Sequence, residues 1–149
     1  MNVSRLRFAV APVAVALGVG GFASRRAAAV YAELDKPRWA PPAELFGPVW
    51  STLYTLIGLA GWRVDEYGSE TTRRLHLIQL ACNATWPVAF FERRDRRAAV
   101  AVIALLDLSL GTEVLRLGRE DSTAARMLTP YLAWSLFASA LTLAVSDPA

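Results

Sequence analysis

The chain has 149 residues, enough for one domain over residues 1–149, and a net charge of +3. Hydrophobic residues make up 54% of it and charged residues 19%, and the charged residues are separated by long uncharged runs. A soluble bundle would carry charges on one face of every helix, so this distribution predicts a multi-pass membrane protein instead. The basic residues fall in the loops, which leaves no basic face for a nucleic acid.

Five segments are long enough to cross a bilayer as helices. They are residues 8–24, 45–62, 75–91, 98–115 and 127–146, each of about 17 to 20 residues, which spans a hydrocarbon core of about 30 Å. A signal peptide is the alternative interpretation of the first segment, but Arg25 and Arg26 directly follow a long apolar run, which favours a membrane helix. Five spans place the two termini on opposite sides. The basic residues divide evenly between the sides, so the positive-inside rule gives no orientation.

The first loop, residues 25–44, has its own pattern. Pro37, Pro41 and Pro42 disfavour a helix through residues 39–42 and predict a stiff strap over one end of the bundle. The loop also carries Tyr31 and Trp39. These amphipathic rings are either interfacial anchors or the aromatic underside of a lid, and the pattern alone leaves both interpretations open.

Three of the predicted spans carry an inward-facing aromatic stripe. The stripes are Trp50, Tyr54 and Gly58 or Gly61 in the second span, Gln79, Asn83, Trp86 and Phe90 in the third, and Tyr131, Trp134, Ala138 and Thr142 in the fifth. An amide facing lipid without a partner is costly, so Gln79 and Asn83 must turn their stripe into the bundle. Helix packing explains one such stripe. Three of them favour an apolar ligand cavity with few hydrogen-bonding groups.

A few polar residues within the spans need separate treatment. Asp107, near the centre of the fourth span, must face the bundle, either as a functional acid or as a neutral hydrogen-bond partner of another helix. Glu113 lies near the end of that span and is expected to reach headgroup water. His76 is expected at the membrane interface, with a haem ligand as the alternative. Because the chain has one histidine and one cysteine, Cys82, a histidine or thiolate metal site is not expected.

Four segments follow one another along the chain: YAELDKPRWAPP (31–42), FGPVWSTLY (46–54), QLACNATWPVAFF (79–91) and PYLAWSLFASAL (130–141). Together they resemble the TspO/MBR family of tryptophan-rich sensory proteins and mitochondrial translocator proteins. The resemblance implies an all-α membrane protein, a five-transmembrane-helix bundle in which the Pro-rich first loop caps a ligand cavity. It further implies a homodimer in a bacterial cell envelope.

The resemblance also implies a ligand and a site. The ligand is a tetrapyrrole, porphyrin or haem, and no other cofactor is required. The implied ligand-binding residues are Tyr31, Trp39, Pro41, Trp50, Tyr54, Asn83, Trp86, Asp107, Trp134 and Ala138, which the stripe of the third span extends to Phe90. Trp50 and Asn83 resemble a pair that donates hydrogen bonds to ligand carbonyls. Trp50 and Trp134 resemble the pair implicated in light-dependent porphyrin breakdown.

Two features depart from the family pattern. Val30 stands where many members have a tryptophan. No lysine or arginine follows Arg126, so the sterol motif of animal members is absent, and the reversed pattern Arg126…Tyr131…Leu136 is weak evidence. Sterol binding is therefore not expected. Three functions remain open: a tetrapyrrole sensor or translocator, a light-dependent porphyrin-degrading enzyme, and a structural or regulatory membrane protein without turnover.

Overall fold

The computed structural model describes residues 3–146, apart from the side chains of residues 4 and 5. Over that range the chain is helical and contains no β-strand. The helices are α1 (Val3–Ala23), α2 (Ala27–Glu33), α3 (Phe46–Tyr67), α4 (Glu70–Pro87), α5 (Arg96–Glu120) and α6 (Ser122–Ala144). Two 3-10 turns, Ser24–Arg26 and Ala43–Leu45, precede α2 and α3, and a π-helical turn, Val88–Glu92, extends α4. The all-α class predicted from the sequence is confirmed.

The five long helices form a closed ring. Going round it, α1 packs against α3, α3 against α6, α6 against α5, α5 against α4, and α4 against α1. The interior is filled by apolar stripes such as Leu53, Ile57, Ala60 and Val64 on α3, whose spacing of four, three and four residues keeps them on one face. Successive helices run in opposite directions, so one end of the ring collects the C-terminal ends of α1, α4 and α6.

Helices α5 and α6 begin before the uncharged runs predicted from the sequence, at aspartates that cap their first turns. Asp95 accepts a hydrogen bond from the backbone N–H of Ala98 (3.0 Å) at the start of α5, and Asp121 accepts one from Thr123 (3.1 Å) at the start of α6. Both side chains satisfy backbone donors that the first helical turn leaves unpaired. The helices therefore begin or end in charged segments that a count of uncharged residues does not include.

The first loop is shorter than predicted. Residues 24–33 are helical, because the chain leaves α1 through the Ser24–Arg26 turn and the alanines of Ala27–Glu33 favour a further helix. The expectation of a loop from residue 25 is corrected accordingly. The proline-containing part, from residue 34 to residue 42, is non-helical as predicted. It is joined to the end of α6 by two backbone hydrogen bonds between Asp35 and Ser146 (3.0 and 3.1 Å).

Within residues 3–146, three helical stretches are long and apolar enough to cross a membrane: Leu6–Glu33, Arg96–Glu120 and Ser122–Ala144. Large apolar side chains on their outer faces, such as Leu108, Leu115 and Leu143, are exposed in the isolated chain. These are the features of a multi-pass membrane protein, in which lipid covers such a surface. Helices α3 and α4 have charged ends, and five crossings remain a prediction.

Candidate functional site

A cavity of about 430 Å³ opens between the helices in the half of the ring that holds the C-terminal ends of α1, α4 and α6. This volume falls within the usual range for small-molecule sites, and such sites are mostly apolar with a few polar groups. Ten aromatic rings form a large part of its wall. The rings that line it belong to Tyr31, Phe46, Trp50, Tyr54, Trp86, Phe90, Phe91, Tyr131, Trp134 and Phe137.

One side of the cavity is built from small residues. The end of α1 and the start of α2 contribute Gly20, Gly21, Ser24, Ala27 and Ala28. These side chains occupy little volume, so the space between α1 and the aromatic wall stays open. None of the site residues predicted from the sequence lies in this part of the chain. The run of glycines and alanines around it was the available signal.

The polar part of the cavity is a hydrogen-bonded chain across three helices. The Tyr54 hydroxyl donates to Asn83 Oδ1 (2.6 Å), and Asn83 Nδ2 donates to the Tyr131 hydroxyl (2.9 Å). All three residues line the cavity, and Asn83 is buried from the outer surface of the protein. One amide N–H of Asn83 remains for another acceptor, because the side chain has two donors and only one of them is used here.

Trp86 offers a second donor. Its indole Nε1 is buried and has no hydrogen-bond partner among the described residues. The ring is held in place by stacking on Phe90 (4.9 Å between centroids, 19° between planes) and by the edge of Phe91. A buried N–H without an acceptor is costly. A hydrogen-bond acceptor on a ligand beside Trp86 would therefore offset the free-energy cost of burying this N–H without a partner.

Trp50 and Trp134 both line the cavity, each within an aromatic cluster. Trp50 lies 5.3 Å from Tyr54 and 6.2 Å from Tyr131 between ring centroids. Trp134 lies 5.9 Å from Phe46 and 5.3 Å from Phe137. Ala138 lies one turn beyond Trp134 and also lines the cavity, and its small side chain leaves space beside α6. Eight of the predicted ligand-binding residues thus share one cavity: Tyr31, Trp50, Tyr54, Asn83, Trp86, Phe90, Trp134 and Ala138.

Two predicted residues, Trp39 and Pro41, lie in the loop and outside the lining. The Trp39 ring is 50% exposed and meets the edge of Phe137 at 5.8 Å. The Pro41 carbonyl accepts a hydrogen bond from the Tyr31 hydroxyl (2.8 Å). Both residues attach the loop to side chains that line the cavity, so they surround the site without forming its wall.

Asp107 also lies outside the lining, in the contact between α5 and α6. Its two carboxylate oxygens accept hydrogen bonds from the hydroxyls of Ser135 and Ser139, each at 2.5 Å. Ser135 lines the cavity, so Asp107 reaches the cavity wall through that hydroxyl. The expectation that Asp107 faces the bundle and is hydrogen-bonded is met, and a direct ligand contact stays a prediction.

The expectations for His76 and Glu113 are wrong. Both side chains are 0% exposed, and His76 Nδ1 lies 2.7 Å from Glu113 Oε1. The physical reason is helical register: Glu113 lies on the buried stripe of α5 with Leu106, Leu110 and Leu117, not on the face that reaches water. The pair lies in the half of the bundle away from the cavity.

Comparison with known proteins agrees with the sequence resemblance. The TspO/MBR family profile matches residues 8–146. Tryptophan-rich protein TspO of Archaeoglobus fulgidus is 33% identical over 150 residues, which covers 97% of this chain and 97% of that protein. Human translocator protein is 36% identical over 121 residues, covering 77% of this chain and 72% of that protein. The tryptophan-rich sensory protein of Cereibacter sphaeroides is 33% identical over 112 residues, covering 74% and 71%.

Proposed function

Because the chain belongs to the TspO/MBR family, we propose that it binds a tetrapyrrole, porphyrin or haem, within the membrane as a sensor or translocator. The observation that carries the proposal is the aromatic cavity of about 430 Å³ between the helices. Flat aromatic walls suit a flat conjugated ligand, because ring faces stack and exclude water. The few polar groups then fix the orientation of the ligand.

The polar groups also suit a ligand that carries acceptors. Trp86 and Asn83 both line the cavity, and each has an N–H that no described residue accepts: Nε1 of Trp86 and the second amide N–H of Asn83. Arg96 brings a cation to the edge of the site, since its guanidinium donates to the carbonyl of Thr142 (3.0 Å), a lining residue. A carboxylate on the ligand would find a charge-assisted partner there.

We further propose five membrane crossings, a loop that closes the cavity and a homodimer. All five long helices cross the bilayer, and the proline-containing loop closes the cavity through Trp39 and the bond from Tyr31 to Pro41. The protein acts as a homodimer in a bacterial cell envelope, as the family resemblance implies. Exposed apolar residues on the outer faces of the helices supply a surface for lipid or for a second copy.

A titration in the dark tests the binding function. Purified protein in detergent is titrated with protoporphyrin IX, and binding is followed by porphyrin absorbance and tryptophan fluorescence. Trp86→Phe keeps an aromatic ring but removes the indole N–H, so affinity should fall by about 2- to 10-fold, which corresponds to the loss of one hydrogen bond of about 0.5–1.5 kcal/mol. Trp62→Phe is the matched control, because Trp62 is absent from the cavity wall. Absence of saturable binding in the wild type would contradict the proposal.

A light-dependent activity is the second candidate, favoured by the presence of Trp50 and Trp134 in one cavity wall. Indole is readily oxidised, so it can donate an electron to a photo-excited porphyrin or react with the oxygen species that the porphyrin forms from O₂. Under equal porphyrin occupancy, illuminated wild type should lose porphyrin absorbance faster than the double variant Trp50→Phe/Trp134→Phe. Trp62→Phe again serves as control. Equal bleaching rates in wild type and double variant would leave binding as the function.

A further inference from the structure

A column of buried polar residues runs along one face of α4. Thr72, His76, Gln79 and Asn83 recur at spacings of four, three and four residues, and all four are buried. At about 1.5 Å per residue the column is roughly 16 Å long. It begins at the end of the bundle away from the cavity and ends at Asn83 in the cavity wall.

The outer end of the column is a polar cluster open to water. Thr72 Oγ1 donates to Glu120 Oε2 (2.7 Å), and Arg116 donates to Glu120 Oε1 (3.3 Å). Arg116 and Glu120 are only partly buried. The cluster therefore links the partly exposed Arg116 and Glu120 to Thr72, which lies one helical turn from His76.

The centre of the column is the acid–base pair. His76 Nδ1 lies 2.7 Å from Glu113 Oε1, and Gln79 Nε2 lies 3.4 Å from the same nitrogen. Three atoms of this group are buried without a partner among the described residues: His76 Nε2, Gln79 Oε1 and Glu113 Oε2. Native interiors pair most of their buried polar atoms, so three such atoms in one group call for an explanation, and protons or water are the partners small enough to supply one.

Close packing holds the imidazole in this position. Phe8 of α1 stacks against it, with 5.9 Å between ring centroids. On α3 a side chain at Gly61 would bring its Cβ within 2.9 Å of His76 Nε2, so only glycine leaves room for the ring.

We propose that His76 and Glu113 form a proton-binding site inside the bundle, which exchanges protons with water through the Thr72–Arg116–Glu120 cluster and adjoins the cavity through Gln79 and Asn83. One proton is shared between His76 Nδ1 and Glu113 Oε1. A second proton, taken from water, occupies His76 Nε2 and gives the pair a net charge of zero. Its release to water leaves the pair with a net charge of −1.

The charged groups on the surrounding helices have other partners. Arg63 of α3 pairs with Asp121, Arg73 of α4 with Asp65, and Arg116 of α5 with Glu120. On α6 the Tyr131 hydroxyl accepts from Asn83, and on α1 the contact to the imidazole is the Phe8 ring. The charge of the pair is therefore set by its own two protonation sites.

The single histidine of the chain makes the test direct. Full-length protein is labelled with ¹⁵N-histidine, purified through a tag without histidine and placed in lipid nanodiscs. The Nδ1 and Nε2 shifts of His76 are then followed by NMR from pH 5 to pH 9. In the wild type both signals should move with pH in one reversible transition. Signals that stay constant over the whole range would overturn the proposal, because the pair would then be an inert structural contact.

Two variants test whether the pH transition of His76 depends on Glu113. In Glu113→Gln the transition should be lost and the neutral imidazole pattern should persist, because a buried imidazolium without an anionic partner is costly. Asp107→Asn removes the other intramembrane acid and should leave the transition unchanged. The same transition in Glu113→Gln as in wild type would overturn the role of Glu113. The wild-type titration decides the proposal by itself if that variant does not fold.

Coupling to the cavity is a further step that rests on the proposed function. With protoporphyrin IX bound, the midpoint of the His76 transition should move from its ligand-free position, because Asn83 lies one turn from Gln79 and contacts the cavity. Porphyrin absorbance reports occupancy in the same sample. Lack of binding would contradict the proposed function and leave the ligand-free titration intact. Full occupancy with an unmoved midpoint would overturn the coupling.

Discussion

Asn83 ties three helices together because its amide is bonded to two phenols. Asn83→Ala removes the bonds to Tyr54 and Tyr131 and leaves the buried Tyr131 hydroxyl without its donor. An unsatisfied buried group costs about 1–3 kcal/mol, so this variant should unfold at lower temperature and bind porphyrin more weakly. Tyr54→Phe removes one bond and keeps the ring, so its effect should be about 0.5–1.5 kcal/mol. Thermal unfolding in detergent measures both, and equal stability of Asn83→Ala and wild type would contradict the contact.

Asp107 joins α5 to α6 through two serine hydroxyls. An asparagine at this position retains one acceptor and gains two donors, and a serine hydroxyl both donates and accepts, so both contacts can re-form. Asp107→Asn should therefore change the melting temperature little, whereas Asp107→Ala should lose both contacts and unfold several degrees earlier. If the two variants destabilise equally, the charge of Asp107 matters more than its hydrogen bonds.

The predicted aromatic stripes show how far single residues could be predicted. Gln79, Asn83, Trp86 and Phe90 were placed inward because an amide cannot face lipid. The same stripe continued one turn further reaches His76, which is buried. His76 lies beside the end of the uncharged run, and that position predicted a place at the membrane interface. Periodicity was the better guide, because a helix keeps its inward face even where its composition becomes polar.

An ion pair joins the end of α3 to the start of α6. Arg63 donates to both carboxylate oxygens of Asp121 (2.6 and 3.0 Å), which precedes α6. These hydrogen bonds lower the pKa of Asp121 below its ordinary value of 3.8. A lowered folded-state pKa means that the pair stabilises the fold above about pH 4 and that this contribution is lost as the pH falls through the lowered pKa.

Asp121→Asn tests this pH dependence, because asparagine caps a helix as well as aspartate does. At pH 7 the variant should be less stable than wild type by about 1 kcal/mol, a charged hydrogen bond discounted for the partial exposure of Arg63. The difference should shrink as the pH is lowered to about 3. Glu70→Gln is the control, because the Glu70–Arg74 pair is exposed to water. A stability difference that does not depend on pH would contradict the assignment to charge.

The first loop depends on a second contact between elements. The Tyr31 hydroxyl of α2 donates to the Pro41 carbonyl, and Tyr31 also meets the edge of Phe46. Tyr31→Phe keeps the ring contact and removes the hydrogen bond, which is worth about 0.5–1.5 kcal/mol. Hydrogen exchange should then accelerate by about 2- to 10-fold within residues 34–45 and stay unchanged in α5. Equal protection of the loop in both proteins would show that the backbone bonds between Asp35 and Ser146 suffice to hold it.

The local winding of the helices could not be predicted from spacing. The third span was predicted as one regular helix, but it ends in a π-helical turn in which the backbone N–H of Arg93 donates to the carbonyl of Val88 (2.9 Å). Both Phe90 and Phe91 line the cavity there, although the stripe of the sequence analysis included only Phe90. A period of 3.6 residues cannot anticipate a wider turn. The uncharged runs did locate the centre of every long helix, because membrane crossing and helix formation both require them.

The cavity and the acid–base pair lie in opposite halves of the ring of five helices, at different positions along the axis of the ring. The cavity occupies the half that contains Tyr54 and Trp134, and His76 with Glu113 occupies the other half, beside Gly61. Helix α4 passes through both and carries Asn83 and His76 on one face. A ligand that displaces Asn83 therefore acts on the helix that also holds the pair.

Helices α3 and α4 are the two long helices that are not apolar enough over their length to be identified as membrane spans by composition. The ring requires them to span the same distance as α1, α5 and α6, because α3 packs along α1 and α6, and α4 along α1 and α5. We therefore expect five crossings. Single cysteines are introduced into a Cys82→Ser background at the exposed positions Arg25, Arg74, Arg94 and Arg119.

Labelling of sealed vesicles with a membrane-impermeant maleimide separates five crossings from three. With five, the cysteines of Arg25→Cys and Arg94→Cys label from one side, and those of Arg74→Cys and Arg119→Cys label from the other. If α3 and α4 do not cross, the cysteine at position 74 labels from the same side as those at positions 25 and 94. Position 74 is therefore decisive, since it is the one of the four whose side differs between the two topologies. Labelling of position 74 together with position 119 is the expected result, because the charged start of α4 lies at the end of the bundle that holds Glu120.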